Sequence, residues 1–450
     1  MDRPVELGDR TTGNERSNFR APSNLPLSAA RRQRVYSAAV ALPSLCLRIV
    51  VLYFSFTMDS DEETLLLVLL LKRKSILNKK QKKKPKTTLP LFCITQQTEF
   101  YKVKSYSDQK FQNYLRLSRK QFYELLSRLE RYIGKQNTTF KNTICAEERL
   151  IITLRFLAEG CSLTNLYHTY NRGLSTICAI VREVCRAIYE NLHTIYIPEL
   201  QEEDWLIIAN GYYTKANFPN CLGAIDGKHI RVIKPEHSGS LYYNYKNYFS
   251  IVLLAICDSN YCFTYIDVGS YGKASDSQIF KNSNFYKRLH EQDLNIPNPL
   301  PITNNGPPVP FIFIGDEAFG ISNFLQRPYA GNHLNEKKRI FNYRLSRARR
   351  YIECSFGIMA NKWRILHRPI NVQIPFAEDI VRACCVLHNL LRKTDSKQSN
   401  SNPTMLRYDL QNIQQNQNNH PQISATTIRD TLADYFVSPE GELPWQTMKI

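Results

Sequence analysis

The sequence predicts an α/β protein in which a mixed sheet flanked by helices follows an all-α, helix-turn-helix-like region. Two observations lead to this prediction. Apolar residues recur at three- and four-residue intervals from Ser118 to about Leu192, which is the helical period. From Cys221 the chain changes to short runs of β-branched and aromatic residues separated by turn formers, which are typical of strands.

Four helices make up the predicted all-α region, over residues 118–133, 146–159, 162–170 and 175–192. Ser118 and Gln121 have the spacing of a capping box, and Ser175 is predicted to cap the fourth helix. Consecutive helices with tight turns are typical of a helix-turn-helix, whose last helix would present Arg182 and Arg186 to DNA. The wide apolar face of that helix leaves a plain helical packing region as the alternative.

Four strands are predicted for the sheet, over residues 222–232, 249–257, 262–268 and 311–314. The first three are expected to form an antiparallel meander, and the fourth to be short, buried and parallel. Ser275 has capping-box spacing with Gln278 and begins a helix. Longer helical patterns cover residues 336–366 and 377–391.

The charge of the chain favours a polyanionic partner such as nucleic acid, because 59 basic and 40 acidic residues give a net charge of +19. Nine of the basic residues lie between Leu71 and Lys86 without any acid, so the remainder is only moderately basic. This run resembles a bipartite nuclear-import signal and predicts a nuclear protein, with the cytoplasm as a second compartment. An unstructured solvated tail is the alternative interpretation.

Two further patterns argue against other classes of protein. The apolar stretch Val35–Met58 is interrupted by Pro43 and Arg48, so no part of it is long enough to cross a bilayer, and no membrane anchor is expected. The 12 cysteines include no C-x-x-C pair, which argues against a structural zinc site and suits a reducing compartment. His388 lies in an apolar helix and is predicted to be a core residue.

Composition divides the chain into five segments. They are a disordered extension with the basic run (1–95), the helical region (96–205), the core that contains the sheet (206–393), an Asn-, Gln- and Ser-rich linker (394–424) and a C-terminal segment (425–450). The helical region and the core are therefore the parts in which a functional site is expected.

Three acidic residues lie beside the predicted apolar segments of the core. Asp226 is within the first strand, Asp316 directly follows the fourth, and Glu353 is at the edge of the apolar stripe of the long helix. Carboxylates gathered at a sheet edge repel one another, and divalent cations with oxygen ligands relieve that repulsion. Taken singly, each aspartate could be a turn former, and Glu353 could be ion-paired with Arg349 or Arg350.

Several ordered blocks of the sequence resemble those of the PIF/Harbinger transposases and the Harbinger transposase-derived nucleases, which are DDE superfamily endonucleases. The blocks are Gly223–Ile230, Phe249–Asp258, Ser275–Ser277, Gly315–Asp316, Tyr351–Gly357, Leu387–Asn389, Tyr435–Phe436 and Pro444–Gln446. The resemblance spans about residues 118–446. It implies an RNase H-like core whose triad Asp226, Asp316 and Glu353 binds Mg²⁺ or Mn²⁺, preceded by a helical DNA-binding region.

The function implied by the resemblance is metal-dependent cleavage of DNA phosphodiester bonds. Two ions would activate water and stabilise the leaving oxygen, and the 3′ hydroxyl produced could attack target DNA. The resemblance also implies a separate Myb-like partner protein, and an oligomer is compatible with it. A hypothesis of a different class is a DNA-binding or partner-assembly protein that no longer uses the nuclease fold.

Further residues are predicted around this site. Asp276 would lie beside the triad by the resemblance, although a place at a helix N-terminus explains it equally. Lys246, in a tyrosine-rich cluster, could contact phosphates beside exposed bases, although an aromatic strand edge explains the cluster equally well. The chain has Cys354 where the family frequently has arginine, and the DNA contacts are then expected from three arginines of the long helix. They are Arg344, Arg347 and Arg350.

Overall fold

The structure, a computed structural model, describes residues 99–136, 143–304, 306–396 and 424–450. The predicted extension with its basic run, the apolar stretch Val35–Met58 and most of the predicted linker lie outside the described residues. In the described part the chain is an α/β protein with a five-stranded mixed sheet and many helices, which confirms the predicted class.

Seven helices precede the sheet in the part of the chain that the structure describes. They are α1 (Glu99–Lys104), α2 (Asp108–Leu115), α3 (Arg119–Ile133), α4 (Ala146–Glu159), α5 (Leu163–Tyr170), α6 (Leu174–Tyr196) and α7 (Glu202–Ala216). Ser118 and Gln121 form the predicted capping box at the start of α3. The predicted start of α6 is wrong by two residues: Asn171 ends α5 in the left-handed conformation, and the tight turn makes Gly173, not Ser175, the N-cap.

The main sheet has the strand order β3-β2-β1-β6-β7. Its strands are β1 (Cys221–Arg231), β2 (Ser250–Cys257), β3 (Phe263–Tyr271), β6 (Ile312–Ile314) and β7 (Leu325–Gln326), while β4 (Leu300–Pro301) and β5 (Pro308–Val309) pair separately. The first three strands are antiparallel neighbours, and β6 lies parallel to β1. The predicted meander and parallel fourth strand are confirmed.

Helices cover the sheet. They are α8 (Asp276–Asn282), α9 (Asn284–His290), α10 (Glu336–Lys362), α11 (Ile374–Ser396) and α12 (Ala425–Val437). Every residue of β2 is buried, so both faces of the sheet are covered at this strand, because successive side chains point to opposite faces. The long helix α10 packs on β1 and β2, and α11 packs on β3 and along α6, which joins the all-α region to the sheet.

The stripe predicted for the long helix is confirmed, since Leu345, Ile352, Phe356 and Met359 are buried. The helix ends at Lys362 with Trp363 as its C-cap, and a short 3-10 helix over Arg364–His367 replaces the predicted last turn. The helix α12 packs on α10 and on β7. No helix among the described residues has the length and apolar composition needed to span a membrane.

Candidate metal and nucleic-acid site

The parallel pairing of β1 and β6 sets the position of two aspartates. Ala224 is opposite Ile314, so Asp226 and Asp316 each lie two residues beyond the last paired residues of neighbouring parallel strands. Because β6 ends at Ile314, β1 has an open side from this point, and its residues change from buried to half-buried at Asp226. The two carboxylates therefore emerge at the same level of the sheet.

The carboxylate of Asp226 is crowded by other acids. Its Oδ1 accepts a hydrogen bond of 2.9 Å from the Gly227 amide, and its Oδ2 lies 3.9 Å from Nη1 of Arg349. The pKa of Asp226 is raised to about 6, mainly by burial, which Arg349 and the Gly227 amide oppose and to which Asp316 and Asp276 add smaller contributions. A half-buried acid with this balance of neighbours is short of positive charge.

Asp316 begins a turn directly after β6. Its Oδ1 accepts a hydrogen bond of 2.9 Å from the amide of Ala318, which fixes the side chain at the strand end. The ring of Phe319 packs against Gly315, where an added Cβ would be 2.8 Å from the ring. The chain thus turns tightly after β6, and Asp316 stays beside β1 instead of following the strand direction outward.

Asp276 reaches the same place from another element. It is the first residue of α8, which Ser275 caps as predicted by accepting a hydrogen bond from the Gln278 amide. Its carboxylate lies against the backbone of Gly227, where an added Cβ would be 2.1 Å from Oδ1. Burial and the nearby Asp316 raise the pKa of Asp276, and Lys246 opposes this. Glycine at position 227 is therefore what allows this third carboxylate to approach.

Glu353 is placed differently from the three aspartates. Its side chain is 45% exposed, and Oε1 accepts a short hydrogen bond from Nη2 of Arg349 one helical turn earlier on α10. The same guanidinium faces Asp226 through Nη1. Arg349 is thus shared by two of the three predicted triad residues, and it connects Glu353 to Asp226 without direct contact between the carboxylates.

The acids of this site offer carboxylate oxygens, which are the ligands that hard divalent cations such as Mg²⁺ prefer. The carboxylate of Asp276 occupies the place that a side chain at Gly227 would take, and the electrostatic repulsion that Asp316 exerts on Asp226 and Asp276 favours a cation. In residues 99–136, 143–304, 306–396 and 424–450, however, no three Asp, Glu, His or Cys side chains are close enough to ligate one ion as they stand.

Two lysines lie beside the acids. The ammonium of Lys228 is 5.6 Å from the ring centre of Phe356 on α10, and burial lowers its pKa. Lys246 is exposed, lies on the loop between β1 and β2, and interacts electrostatically with Asp226 and Asp276. The structure therefore places the predicted phosphate contact Lys246 next to the predicted triad.

The three arginines predicted on α10 have different surroundings. Arg344 is buried, and its guanidinium donates to Gly441 O and to other groups of the fold, so the prediction that it contacts DNA is wrong. Arg347 is half-buried and donates to Asn217 Oδ1 over 2.9 Å. Only Arg350 is exposed. Periodicity placed them on one helix but could not reveal which neighbours cover it.

The two arginines predicted on α6 also have partners within the chain. The guanidinium of Arg182 lies 4.9 Å from the ring centre of Phe376, and Arg186 Nη2 lies 3.3 Å from Asp379 Oδ2. Both partners are on α11. The side chain of Arg186 is nevertheless 54% exposed. The prediction that His388 is a core residue is confirmed, because it is buried and its Nε2 donates to Tyr261 O over 2.7 Å.

Sequence reasoning missed two residues of this site. The i to i+4 spacing of Arg349 and Glu353 suggested an ion pair, but nothing in the spacing indicated that Arg349 also faces Asp226 on β1. Gly227 was noted only as part of a motif, and its role follows from the approach of Asp276, which is distant in sequence. Both depend on how α10 and α8 dock on the sheet.

Comparison with known proteins agrees with this location. Residues 225–389, which contain all four acids, match a family described as DDE superfamily endonuclease. "Protein ALP1-like" of Arabidopsis thaliana is 25% identical over 335 residues, which are 72% of this chain and 80% of that protein. "Putative nuclease HARBI1" of Homo sapiens is 19% identical over 299 residues, which are 64% of this chain and 79% of that protein. No solved structure matches the chain.

Proposed function

We propose that this chain is a metal-dependent DNA endonuclease of the Harbinger transposase-derived kind, because residues 225–389 match a family described as DDE superfamily endonuclease and the chain is similar to a putative nuclease. Asp226, Asp316 and Glu353 would be its metal ligands. The observation that supports the proposal most is the parallel register of β1 and β6, which brings Asp226 and Asp316 to one level of the sheet. Asp276 adds a third carboxylate there from α8.

Each residue of the site has a role in this proposal. Bound Mg²⁺ or Mn²⁺ would activate water and neutralise charge on the cleaved phosphodiester. Asp226 and Asp316 supply oxygen ligands from fixed strand ends, and Asp276 adds negative charge beside them. Arg349 neutralises Asp226 and Glu353 when no ion is bound, so a divalent ion must compete with this guanidinium. Lys246 would contact the phosphate backbone.

We extend the proposal to the fold of the core, to the all-α region and to the rest of the chain. The strand order, with Asp226 on the central strand β1 and Asp316 just after its neighbour β6, is compatible with an RNase H-like core. The all-α region would bind DNA as a helix-turn-helix-like unit, with Arg186 as the more exposed of the two arginines predicted on α6. The lysine-rich run would direct the protein to the nucleus, a Myb-like protein would be its partner, and strand transfer would follow cleavage.

Plasmid nicking tests the proposal. The purified full chain should nick supercoiled DNA with Mg²⁺ or Mn²⁺ and not with EDTA. Asp316→Asn should reduce the rate at least about 100-fold, because it removes a charged ligand and keeps the side-chain shape. Asp293→Asn is a matched control, since it removes an exposed carboxylate that pairs with Arg288. Equal nicking by the two variants would contradict the assignment.

A second function is favoured by one observation, the pairing of Glu353 with Arg349. If this pair is permanent, the fold would serve DNA binding or partner assembly without cleavage. In that case DNA affinity should be unaffected by Asp226→Asn and Glu353→Gln, and calorimetry should detect no Mn²⁺ binding by the wild-type chain. Binding of Mn²⁺ that Asp226→Asn abolishes would favour the nuclease.

A further inference from the structure

The loop between β1 and β2 carries an unusually exposed aromatic ring at its tip, which we define as residues Asn244–Tyr248. Tyr245 is 78% exposed, whereas the other exposed tyrosines of the described residues lie between 40% and 49%. Exposing a large ring to water gives up the free energy that its burial would provide. An exposed ring that the backbone holds in place therefore indicates a binding role.

The backbone of the tip is held by a buried asparagine. Asn244 is 3% exposed, and its Oδ1 accepts hydrogen bonds from the amides of Lys246 (2.9 Å) and Tyr248 (3.3 Å). Its Nδ2 donates to Ser250 Oγ over 2.8 Å, which anchors the tip to the first residue of β2. Tyr245 lies between these anchored residues. The Tyr245 ring therefore projects from a backbone that is held on both sides.

The tip stands next to the acidic site. The ring of Tyr245 meets the imidazole of His229 edge-on, with 5.5 Å between ring centres, and Lys246 Nζ lies 5.2 Å from the centre of the Tyr245 ring. His229 is on β1, three residues after Asp226, and its Nδ1 is 3.0 Å from Ser250 Oγ. Lys246 also interacts electrostatically with Asp226. A strand with a phosphate at Asp226 would therefore pass this ring.

The surrounding charges indicate which class of partner would use the ring. Two further cations lie over aromatic rings of the same loop: Arg231 is 4.6 Å from the centre of Tyr248, and Lys234 is 5.8 Å from that of Phe249. Alternating cations and rings suit a polyanion with flat groups, which is a nucleic acid. In a closed duplex the faces of the bases are already stacked, so a ring at the backbone can stack only on an unpaired base.

We propose that the tip binds an unpaired base beside the phosphate that lies at Asp226, with Tyr245 stacking on the base and Lys246 contacting a neighbouring phosphate. This inference rests on the proposed function for the location of that phosphate, and it adds the substrate feature recognised there. The chain would thus prefer DNA with a single-stranded or opened stretch at the acidic site.

Binding measured without divalent ions tests this inference separately from cleavage. The probes are a fluorescently labelled oligodeoxynucleotide of about 20 nucleotides and the same sequence as a blunt duplex, both with the full chain in EDTA. Tyr245→Ala should weaken single-strand binding about 5- to 150-fold and change duplex binding less than about twofold. Tyr245→Phe should retain the single-strand affinity because it keeps the aromatic ring. Tyr245→Leu should lose it, because leucine is apolar but has no π face on which a base can stack.

Lys246→Gln should give a different signature. It should lower the slope of log affinity against log salt by about 0.7, because one phosphate contact is lost, whereas Tyr245→Leu should leave the slope unchanged. Tyr101→Ala is the matched control, since it removes a tyrosine that is 46% exposed on α1. An unchanged melting temperature verifies that each variant folds.

Specific outcomes would overturn the inference. They are single-strand affinity of Tyr245→Ala within about twofold of wild type, an equal loss with Tyr101→Ala, or no binding of the oligonucleotide by the wild-type chain. A change of oligomeric state by Tyr245→Ala with unchanged DNA affinity would instead make the tip a contact between copies. A chain that shows the Tyr245 effect but never nicks plasmid would support the tip and contradict the proposed nuclease.

Discussion

Two clusters of charged side chains include residues of α10 and differ in the partners of their charged groups. Arg344 is buried, and its guanidinium donates to Asn217 O, Gly441 O and Gln446 Oε1 while it lies over the ring of Phe436. Its Nη1 and Nη2 therefore have acceptors from two other segments, the one before β1 and the one after α12, while Nε has no partner among the described residues. These hydrogen bonds join α10 to both segments inside the protein, although burial lowers the pKa of Arg344 to about 10.

The second cluster has more negative than positive charge. Asp226, Asp316 and Asp276 lie near one another, and Arg349 divides its guanidinium between Asp226 and Glu353. Repulsion among half-buried acids opposes folding, so this cluster is unfavourable in the metal-free chain. Arg344 thus belongs to the charged groups that hold the structure together, whereas the acids need a bound cation to balance their charge. Three predictions test this difference.

The largest effect is expected at the structural cluster. Arg344→Met should lower the free energy of unfolding by about 3–5 kcal/mol, because the carbonyls and Gln446 would lose a charged donor inside the protein. Urea denaturation followed by circular dichroism measures the change. Arg350→Met, an exposed arginine on the same helix, is the control and should change it by less than about 0.5 kcal/mol. Similar losses in both variants would contradict a structural role specific to Arg344.

At the acidic cluster, removal of a charge should raise the free energy of unfolding instead of lowering it. The pKa of Asp226 is raised from 3.8 to about 6 in the folded chain, so above pH 6 its ionised form costs the fold up to about 3 kcal/mol. Below pH 4 the carboxyl is protonated in both the folded and unfolded states, and the cost vanishes. Asp226→Asn should therefore stabilise the protein at pH 7 in EDTA, with a gain that disappears as the pH falls to 4.

Melting temperatures across pH 4–8 measure this gain. Asp434→Asn, which removes an exposed carboxylate paired with Lys337, is the control and should show no gain that grows with pH. A stability loss for Asp226→Asn at pH 7 would mean that Arg349 compensates Asp226 fully. The contrast between the two clusters would then not hold.

Local patterns were enough to predict much of the fold and half of the site. The capping box at Ser118, the cap at Ser275 and the alternating strands depend on residues close in sequence. Asp226 and Asp316 come together because parallel strands with apolar runs must pair side by side, which the expected parallel β6 already indicated. The resemblance to a family added Asp276 to this group.

Contacts between distant segments could not be predicted in the same way. The buried state of Arg344 depends on carbonyls 127 residues earlier and 97 residues later in the chain. The pairing of Arg186 with Asp379 depends on α11, which lies 193 residues further on. Helical periodicity identifies the face of a helix that is buried, but it does not identify the element that covers it.

The smallest of the three effects is expected at Arg349, whose guanidinium balances part of the negative charge of Asp226 and Glu353. Arg349→Gln removes a positive charge that faces Asp226 at 3.9 Å and releases Glu353, so divalent ions would no longer compete with it. The dissociation constant for Mn²⁺, measured by calorimetry, should fall about 5- to 30-fold, or about 1–2 kcal/mol. Arg350→Gln removes an exposed charge next in sequence and should change it by less than about twofold. If Arg349→Gln leaves Mn²⁺ affinity unchanged or weakens it, the guanidinium supports the acidic cluster instead of occupying the place of an ion.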